Sequence, residues 1–254
     1  MIGFFLKKTF FDGWDHLFSL ILLNLGFIAV SELFFFLPLQ LGLPFLAALC
    51  LGLLPAAIWL STCVFALKSI SDFGSIHFAE IPGFIKQALV PGLQVGILLA
   101  IGFVVVSVGL PFYLNLGGIL GALAAGVIFW CSVILALAMQ YYLPLRARLG
   151  GGLRKNLRKS FLLFFDNPGF SFFLFLHSAV TLAVSFFLAF LIPGVAGLAL
   201  SGNVALRLRL YKYDWVEEHP EAKRREVPWE ELLTEDRELV GKRTLKGMIF
   251  PWKE

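Results

Sequence analysis

The chain has 254 residues, of which 59% are hydrophobic and only 15% charged, whereas soluble globular domains carry about 25% charged residues. Of its 17 acidic residues, 11 follow Lys212, so the first 210 residues hold six acids against twelve basic residues. This composition excludes an ordinary soluble domain. The excess of positive charge indicates loops that face the anionic headgroups of a lipid bilayer, with no need of a nucleic-acid partner.

Residues 1–15 are too short to cross a bilayer, but they have the pattern of an amphipathic helix. Four apolar side chains share one helical stripe, namely Ile2, Leu6, Phe10 and Trp14. Lys7, Lys8 and Asp12 lie to the other side. The pattern predicts a helix that lies in the membrane interface.

Long apolar runs follow this helix. About 20 apolar residues are needed to cross a hydrocarbon core of ~30 Å. Five runs meet that length, at residues 17–37, 45–67, 91–110, 118–142 and 170–192. A sixth run, residues 195–206, is short, and we expect Arg207, Arg209 and Lys212 to extend it to about residue 211 by snorkelling to the interface. The alternative is a last segment that enters only half of the bilayer.

The distribution of charge predicts the topology. The turns at 38–44, 111–117 and 193–194 contain no charged residue, whereas the other connecting segments are basic. By the positive-inside rule, the chain is therefore an all-α polytopic membrane protein with six transmembrane helices and both termini in the cytoplasm. The helices form three hairpins, each preceded by a cytoplasmic amphipathic interfacial helix.

A weak internal repeat accompanies these hairpins. The second and third copies align at an offset of 77 residues, where Pro91-Gly92 matches Pro168-Gly169. Proline suits the first turn of a helix, so the match predicts two spans that begin alike. The alternative is a chance match between apolar sequences.

The loop between the fourth and fifth spans is the most basic part of the chain. We assign its six cations to lipid headgroups at the membrane surface: Arg146, Arg148, Arg154, Lys155, Arg158 and Lys159. The preceding segment, Gln140-Tyr141-Tyr142, has the composition of an interfacial aromatic belt.

Few polar side chains lie inside the predicted spans. Glu32 is the one acid there, about five residues from the outer end of its helix and so roughly 7 Å deep. His177 and Thr181 share a stripe on the fifth span, with Gln140 and Asn203 as candidate partners. Two interpretations stay open for Glu32 and His177, a path for a solute or proton and a structural hydrogen-bonding role.

Small residues at four-residue spacing predict close approach of helices. The glycines concerned are Gly92, Gly96, Gly117, Gly121 and Gly197. Packing within one bundle is the simpler interpretation, and a homodimer is the alternative.

No common catalytic motif is present. The sequence lacks HExxH, GxSxG and phosphate-loop patterns, and its four histidines are too dispersed to indicate a metal site. We therefore expect no enzymatic activity, no cofactor and no metal.

Residues 212–254 differ in composition from the bundle of residues 1–211. A short helix is expected from Pro228 onward, because two glutamates follow the proline. The end of the chain, residues 245–253, is apolar and aromatic. We predict a cytoplasmic tail that folds back on the bundle or binds a partner.

Four stretches carry a resemblance to a known family: Phe10-Phe-Asp-Gly-Trp-Asp-His-Leu17, Phe84-Ile-Lys-Gln-Ala88, Tyr142-Leu-Pro-Leu-Arg-Ala-Arg148 and Leu157-Arg-Lys-Ser-Phe161. Over roughly residues 1–212 the chain resembles the YesL-like family of uncharacterised bacterial integral membrane proteins. The tail departs from that family, which usually ends soon after the last span. The family has no assigned catalytic residues, so none can be transferred. The resemblance implies the bacterial cytoplasmic membrane and an accessory role beside a carbohydrate uptake system, such as an ABC-type transporter.

Two functions remain open on these grounds. The first is a non-enzymatic accessory or scaffold subunit. The second is a transporter or channel for a small solute that uses the intramembrane polar residues. A polar cavity shared by Glu32 and His177 would favour transport, whereas a closed bundle with an apolar flank would favour the scaffold.

Overall fold

A computed structural model describes residues 1–221 and 227–243 of the chain. These residues are almost entirely helical and contain no β-strand. Five helices are long and apolar enough to cross a membrane, as the sequence predicts: Leu17–Gln40, Phe45–Ser71, Phe78–Leu116, Gly118–Leu149 and Pro168–Phe187.

The first of these spans is built from several helical pieces. Helix α1 (Ile2–Asp15) ends at His16, where the backbone bends, and α2 (Leu17–Ser31) starts the span. A π-helical turn, Glu32–Phe36, leads into α3 (Leu37–Gln40). The wider turn stands directly before Leu37-Pro38, and a proline ring clashes with the carbonyl group four residues earlier in a regular helix. Locally widening the helix therefore lets the span continue through the proline.

The next two spans pack closely against each other. Helix α4 (Phe45–Ser71) is continuous despite Pro55. Helix α5 (Ile81–Val104) follows a short 3₁₀ turn, Phe78–Glu80. A second π-helical turn, Val105–Gly109, again precedes a Leu-Pro pair and leads into α6 (Leu110–Leu116).

Residues 78–89, which precede the third predicted span, are expected from the sequence to form a separate interfacial helix. They do not, because the chain from Ile81 onward belongs to α5 itself. Helix α5 runs through Pro91 without a break, whereas the chain does break at Asn167, before the matching Pro168. The Asn167 side chain bonds the carbonyl of Leu163, 3.3 Å away. Such a hydrogen bond from a side chain competes with the helical hydrogen bonds of the backbone. Val90, which precedes Pro91 as Asn167 precedes Pro168, is apolar and cannot form one.

Four further helices follow in chain order. These are α7 (Gly118–Met139), α8 (Tyr142–Leu149), α9 (Leu153–Asp166) and α10 (Pro168–Phe187). The apolar stripe of α9 packs against protein rather than lipid, since Leu157 and Phe161 contact buried side chains of the core.

Helix α11 (Gly194–Glu218) lies at the centre of the bundle. It packs against α1, α2, α4, α8 and α10, and fourteen of its residues are buried. The expectation that its cations snorkel to the membrane surface is wrong. Arg209 and Lys212 are each only 7% exposed, because they meet acids and amides of neighbouring helices.

The C-terminal segment lies against this bundle in two short helices, α12 (Trp229–Leu232) and α13 (Thr234–Val240). Leu233 and Val240 are buried in the main core. Lys7 Nζ on α1 donates to the carbonyl oxygen of Gly241, 2.8 Å away. The apolar end predicted at residues 245–253 lies outside the described residues.

Three of the five singled-out glycines lie where helices or turns come close. A Cβ at Gly92 would lie 2.5 Å from Ile58 Cα, and one at Gly96 would lie 2.8 Å from Leu54 Cδ2. Gly121 likewise approaches the carbonyl oxygen of Tyr113. Gly117 and Gly197 differ from the expectation. Gly117 has open space around it and adopts a φ of +71° that suits a turn, and the nearest neighbour of Gly197 is Pro193, in the turn before its own helix.

Candidate functional site

One end of the bundle carries a partly buried cluster of charges, called here the charged end and centred on Asp72, Arg148, Arg207 and Asp236. Asp72 follows α4 and accepts from Arg148 on α8 and Arg207 on α11, with N–O distances of 2.9 and 2.7 Å. Arg207 also contacts Asp236 on α13 at 2.9 Å. One arginine thus joins the central helix to both the second span and the C-terminal segment.

A second group of ions lies on another face of α11. Lys212 Nζ is 2.7 Å from Asp166 Oδ2 at the end of α9. Arg209 donates to Asn167 Oδ1 at 3.0 Å, and its guanidinium lies 3.9 Å from the ring centroid of Phe170. These contacts hold the junction of α9 and α10 against α11.

A third ion pair lies beneath α1. Lys8 is fully buried and its Nζ is 2.8 Å from Asp12 Oδ2, directly over the ring of Phe73 at 3.3 Å. Burial raises the pKa of Asp12 and lowers the pKa of Lys8, and in both cases this desolvation outweighs the attraction of the partner. The sequence places both residues on the polar side of an interfacial helix, but that side faces protein.

These ion pairs change the assignment of the basic loop. Arg148 is a structural residue at the charged end and is not free for lipid headgroups. Arg154, Lys155 and Arg158 are exposed, as headgroup contact requires, while Arg146 and Lys159 are half-buried. Neither of the two cavities described below is lined by any of the six.

Most polar side chains inside the spans join helices together. Asn24 Nδ2 donates to the carbonyl oxygens of Leu191 and Pro193, and its Oδ1 accepts from the backbone N–H of Ala196. It therefore holds the turn between α10 and α11. Asn203 donates to the carbonyl of Val64 on α4 at 2.9 Å.

The fourth span uses its polar residues in the same way. Gln140 donates to the carbonyl oxygen of Ser171 at 2.8 Å. Tyr141 and Tyr142 are fully buried rather than placed in an interfacial belt. The Tyr141 hydroxyl lies 2.8 Å from Ser171 Oγ, and the Tyr142 hydroxyl donates to Gln94.

His177 and Thr181 line an apolar groove between α1, α10 and α11, with a cavity volume of about 830 Å³. We call it the α1 groove. His177 packs edge-on against Phe5 of α1, with ring centroids 5.2 Å apart. Its Nδ1 atom is buried and has no hydrogen-bond partner among the described residues. Ser185, one helical turn beyond Thr181, instead accepts from the N–H of Gly194 and so is structural.

Glu32 lies elsewhere, at an apolar pocket of about 540 Å³ between α2, α4 and the end of α10. We call this surface the Glu32 flank. Its other walls are apolar or aromatic, among them Phe35, Leu49 and Phe190. Glu32 is exposed, and its carboxylate forms no hydrogen bond or ion pair with any residue that the structure describes. Because the span continues to Gln40, Glu32 lies eight residues, or about 12 Å, from the end of the helix, deeper than the sequence suggests.

The two candidate polar residues are therefore not brought together. His177 lines one cavity and Glu32 the other, and both cavities are lined mainly by apolar side chains. No shared polar cavity of the kind that transport through Glu32 and His177 would use is seen among the described residues. No cluster of three metal-ligating side chains occurs in this part of the chain either.

Sequence reasoning does not find Asp72 and Asp236, although they organise the charged end. Their partners lie far away in the chain, 76 residues for Asp72 with Arg148 and 29 for Asp236 with Arg207. For Asp72 the scarcity of acids before residue 210 is a signal, because it makes each acid there a candidate ion-pair partner; Asp236, in the acid-rich last part of the chain, has no such signal.

Comparison with protein-family models, with curated proteins and with solved structures gives no match for this chain.

Proposed function

We propose that this protein is a non-enzymatic scaffold or accessory subunit of the bacterial cytoplasmic membrane, and that the Glu32 flank binds a transmembrane helix of its partner. The chain crosses the membrane six times, in three hairpins, with both termini in the cytoplasm. The resemblance to the YesL-like family makes the membrane subunit of an ABC-type carbohydrate transporter the first partner to test.

The geometry of α11 supports a sixth crossing. Its 25 residues extend over about 37 Å, and the ion pairs of Arg207 and Lys212 with acids of other helices keep its charged half within the bundle. The helix starts at the turn after α10, and Arg207 in its second half contacts Asp72 and Asp236 at the charged end. A fluorescent-protein fusion after Glu254 should therefore fluoresce in the cytoplasm, whereas a fusion within the turn at residues 41–44 should not. Fluorescence from the second fusion and not from the first would reverse the topology.

The observation that carries the proposed function is the exposed carboxylate of Glu32. A charged side chain in the middle of a spanning helix costs on the order of 3 kcal/mol, and such residues usually face a partner or a cavity. Glu32 has no partner in the described chain. A hydrogen-bond donor or a cation on a partner helix would remove this cost.

The shape of the flank is also suited to a helix. The apolar pocket beside Glu32 is lined by Phe35, Leu49 and Leu53, and Gly52 lets the π-helical turn approach α4 closely, because a Cβ there would lie 2.7 Å from Phe35 Cβ. Exposed apolar side chains do not by themselves indicate a binding surface, because every span has a face toward lipid. The carboxylate of Glu32 is therefore the feature that distinguishes this flank.

Photocrosslinking in native membranes tests the proposal. A photoreactive amino acid at Phe36, on the flank, should give a discrete adduct with one other membrane protein, identified by mass spectrometry. Phe103 is the matched control, because it is a phenylalanine of similar exposure, 47% against 46%, and lines neither cavity. The Phe36 adduct should be lost in Glu32→Leu and kept in Glu32→Gln, which retains hydrogen bonding.

Two results would contradict this function. Equal adducts from Phe36 and Phe103, or an adduct unchanged by Glu32→Leu, would show that the Glu32 flank does not bind the partner helix. An adduct with a second copy of the chain would identify a homodimer in place of a foreign partner.

A further inference from the structure

The α1 groove is separate from the Glu32 flank and has the size of a ligand site. Its volume of about 830 Å³ lies within the range of ~300–1,000 Å³ that is usual for small-molecule pockets. Along α10 it extends from His177 to Val184, about 10 Å at 1.5 Å per residue. An open apolar groove of this kind suits a hydrocarbon chain.

The groove opens to the bilayer. Leu6, Phe10 and Trp14 belong to the outward stripe of α1, with exposures of 42%, 40% and 51%, and the same three side chains line the groove. A lipid chain can therefore enter it from the membrane without passing through protein. The opposite wall is formed by α10 and α11, including Thr181 and Leu200.

The mouth of the groove carries one positive charge that no acid among the described residues neutralises. Lys8 pairs with Asp12, and Arg243 pairs with Asp15 at 2.8 Å. Lys7, which lines the groove, donates to the carbonyl oxygen of Gly241 and forms no ion pair with any described residue. An ammonium group has three N–H donors, so Lys7 keeps donors for an anion.

Two polar atoms at the level of α1 also lack a partner. Thr9 Oγ1 and His177 Nδ1 are both buried without a hydrogen bond in the described part of the chain, and both residues line the groove. Buried polar groups are normally paired. A ligand with acceptor oxygens just below its anionic group would pair them.

We infer that the α1 groove binds one acyl chain of an anionic phospholipid, with the phosphate at Lys7 and the ester oxygens near Thr9 and His177. The apolar walls take the chain, the single net charge at the mouth selects the headgroup, and the two unpaired polar groups contact the glycerol esters. This inference does not depend on the partner proposed for the Glu32 flank.

Photolabelling of the full-length protein in lipid nanodiscs tests the site. The probe is phosphatidylglycerol with a diazirine in one acyl chain, and phosphatidylcholine with the same chains is the comparison. Labelled peptides should map to groove residues of α10 and α11. Labelling by the anionic probe should exceed that by the zwitterionic probe about fivefold, the factor that one basic residue at a membrane surface contributes.

Matched variants separate the groove from the general lipid-facing surface. Val184→Trp fills the groove and should abolish the labelling, whereas Val180→Trp, on the same helix but outside the groove, should not. Lys7→Gln keeps a donor for Gly241 and should remove the preference for the anionic probe, while Lys86→Gln, at an exposed position, should leave it unchanged. Because Lys7→Gln alters only a charge at the mouth, it tests the site even if Val184→Trp fails to fold.

Any of three labelling results would overturn the inference, namely equal labelling by the two probes, equal loss in the two tryptophan variants, or labels that avoid α10 and α11. Capture of another protein in the groove, in place of lipid, would do the same.

Discussion

Arg207 and Asp236 contact each other through two hydrogen bonds, Nη2 to Oδ1 at 2.9 Å and Nε to Oδ2 at 3.3 Å. Paired contacts of this kind are among the stronger and more directional ion pairs in proteins. The first residue belongs to the most buried helix of the bundle and the second to the last helix that the structure describes. The C-terminal segment is thus attached to the core by a specific contact and not only by apolar packing.

Asp236→Asn should loosen the C-terminal segment. Arg207 keeps Asp72 as a partner, but Asp236 is only 2% exposed, and loss of its hydrogen bonds at a buried position costs about 1–3 kcal/mol. We expect faster hydrogen exchange in α13 and a lower midpoint of thermal unfolding in detergent. Glu235→Gln, on the same helix but exposed, is the control and should change neither.

The buried pair of Lys8 and Asp12 should be replaceable by apolar side chains but should not tolerate removal of one partner. Asp12→Leu alone leaves a buried ammonium group and should lower stability by about 3–5 kcal/mol. Adding Lys8→Met should restore it to within about 1 kcal/mol of the wild type, because methionine also packs well on Phe73. Thermal unfolding of the single and double variants measures this, with the exposed Lys86→Met as a control, and a double variant as unstable as the single would contradict it.

The same pair should make stability depend on pH. Burial raises the pKa of Asp12 in the folded state above its ordinary value of 3.8. At a pH between the ordinary pKa and the raised pKa, the folded state therefore holds more protons than the unfolded state. Stability then falls as pH rises through that window. As the pH rises from about 4, the ordinary pKa of an aspartate, the melting temperature of the wild type should fall relative to that of Asp12→Asn, and parallel curves would contradict the raised pKa.

Gly92→Ala should force α4 and α5 apart. The added Cβ would lie 2.5 Å from Ile58 Cα, and backbone cannot yield as a flexible side chain can. We expect a loss of about 1–3 kcal/mol, the usual cost of overpacking. Gly102→Ala on the same helix meets open space and should be neutral or slightly stabilising, so equal effects of the two substitutions would show that close helix contact is not the cause.

Asn24→Ala should destabilise the turn between α10 and α11. It removes the partner of two carbonyl groups and of the Ala196 N–H, and each buried polar group left unpaired costs about 1–3 kcal/mol. Asn115→Ala, at an exposed position near the end of α6, is the control. The measurement is the thermal midpoint in detergent, and a shift no larger than that of the control would argue against this role.

Apolar length and turn residues were sufficient to predict five spanning helices, because each depends on local sequence. The extent of α11 was not predictable in this way. Arg207, Arg209 and Lys212 look like the end of a span, and only the distant acids Asp72, Asp166 and Asp236 explain why the helix stays in the bundle as far as Lys212.

The candidate sites also differ in whether local sequence or contacts with distant residues determine them. The exposure of Arg154, Lys155 and Arg158 agrees with a loop facing solvent or headgroups, as charge patterning indicates. Helical periodicity places Lys8 and Asp12 away from the apolar stripe of α1, but it cannot say whether that face meets water or protein. The distance between Glu32 and His177 depends on how the helices are arranged around α11, which no local pattern records.

The central position of α11 also has a consequence for biosynthesis. The ribosome makes this helix after α1, α2, α4, α8 and α10, the helices that it contacts. Until it is complete, the faces it will cover have only lipid or one another as neighbours, and Asn24 must wait for a turn that lies 169 residues later. Insertion of the early helices and their assembly are therefore separate events, as in the two-stage description of membrane-protein folding, and translation that stops before residue 194 would leave inserted helices without a core.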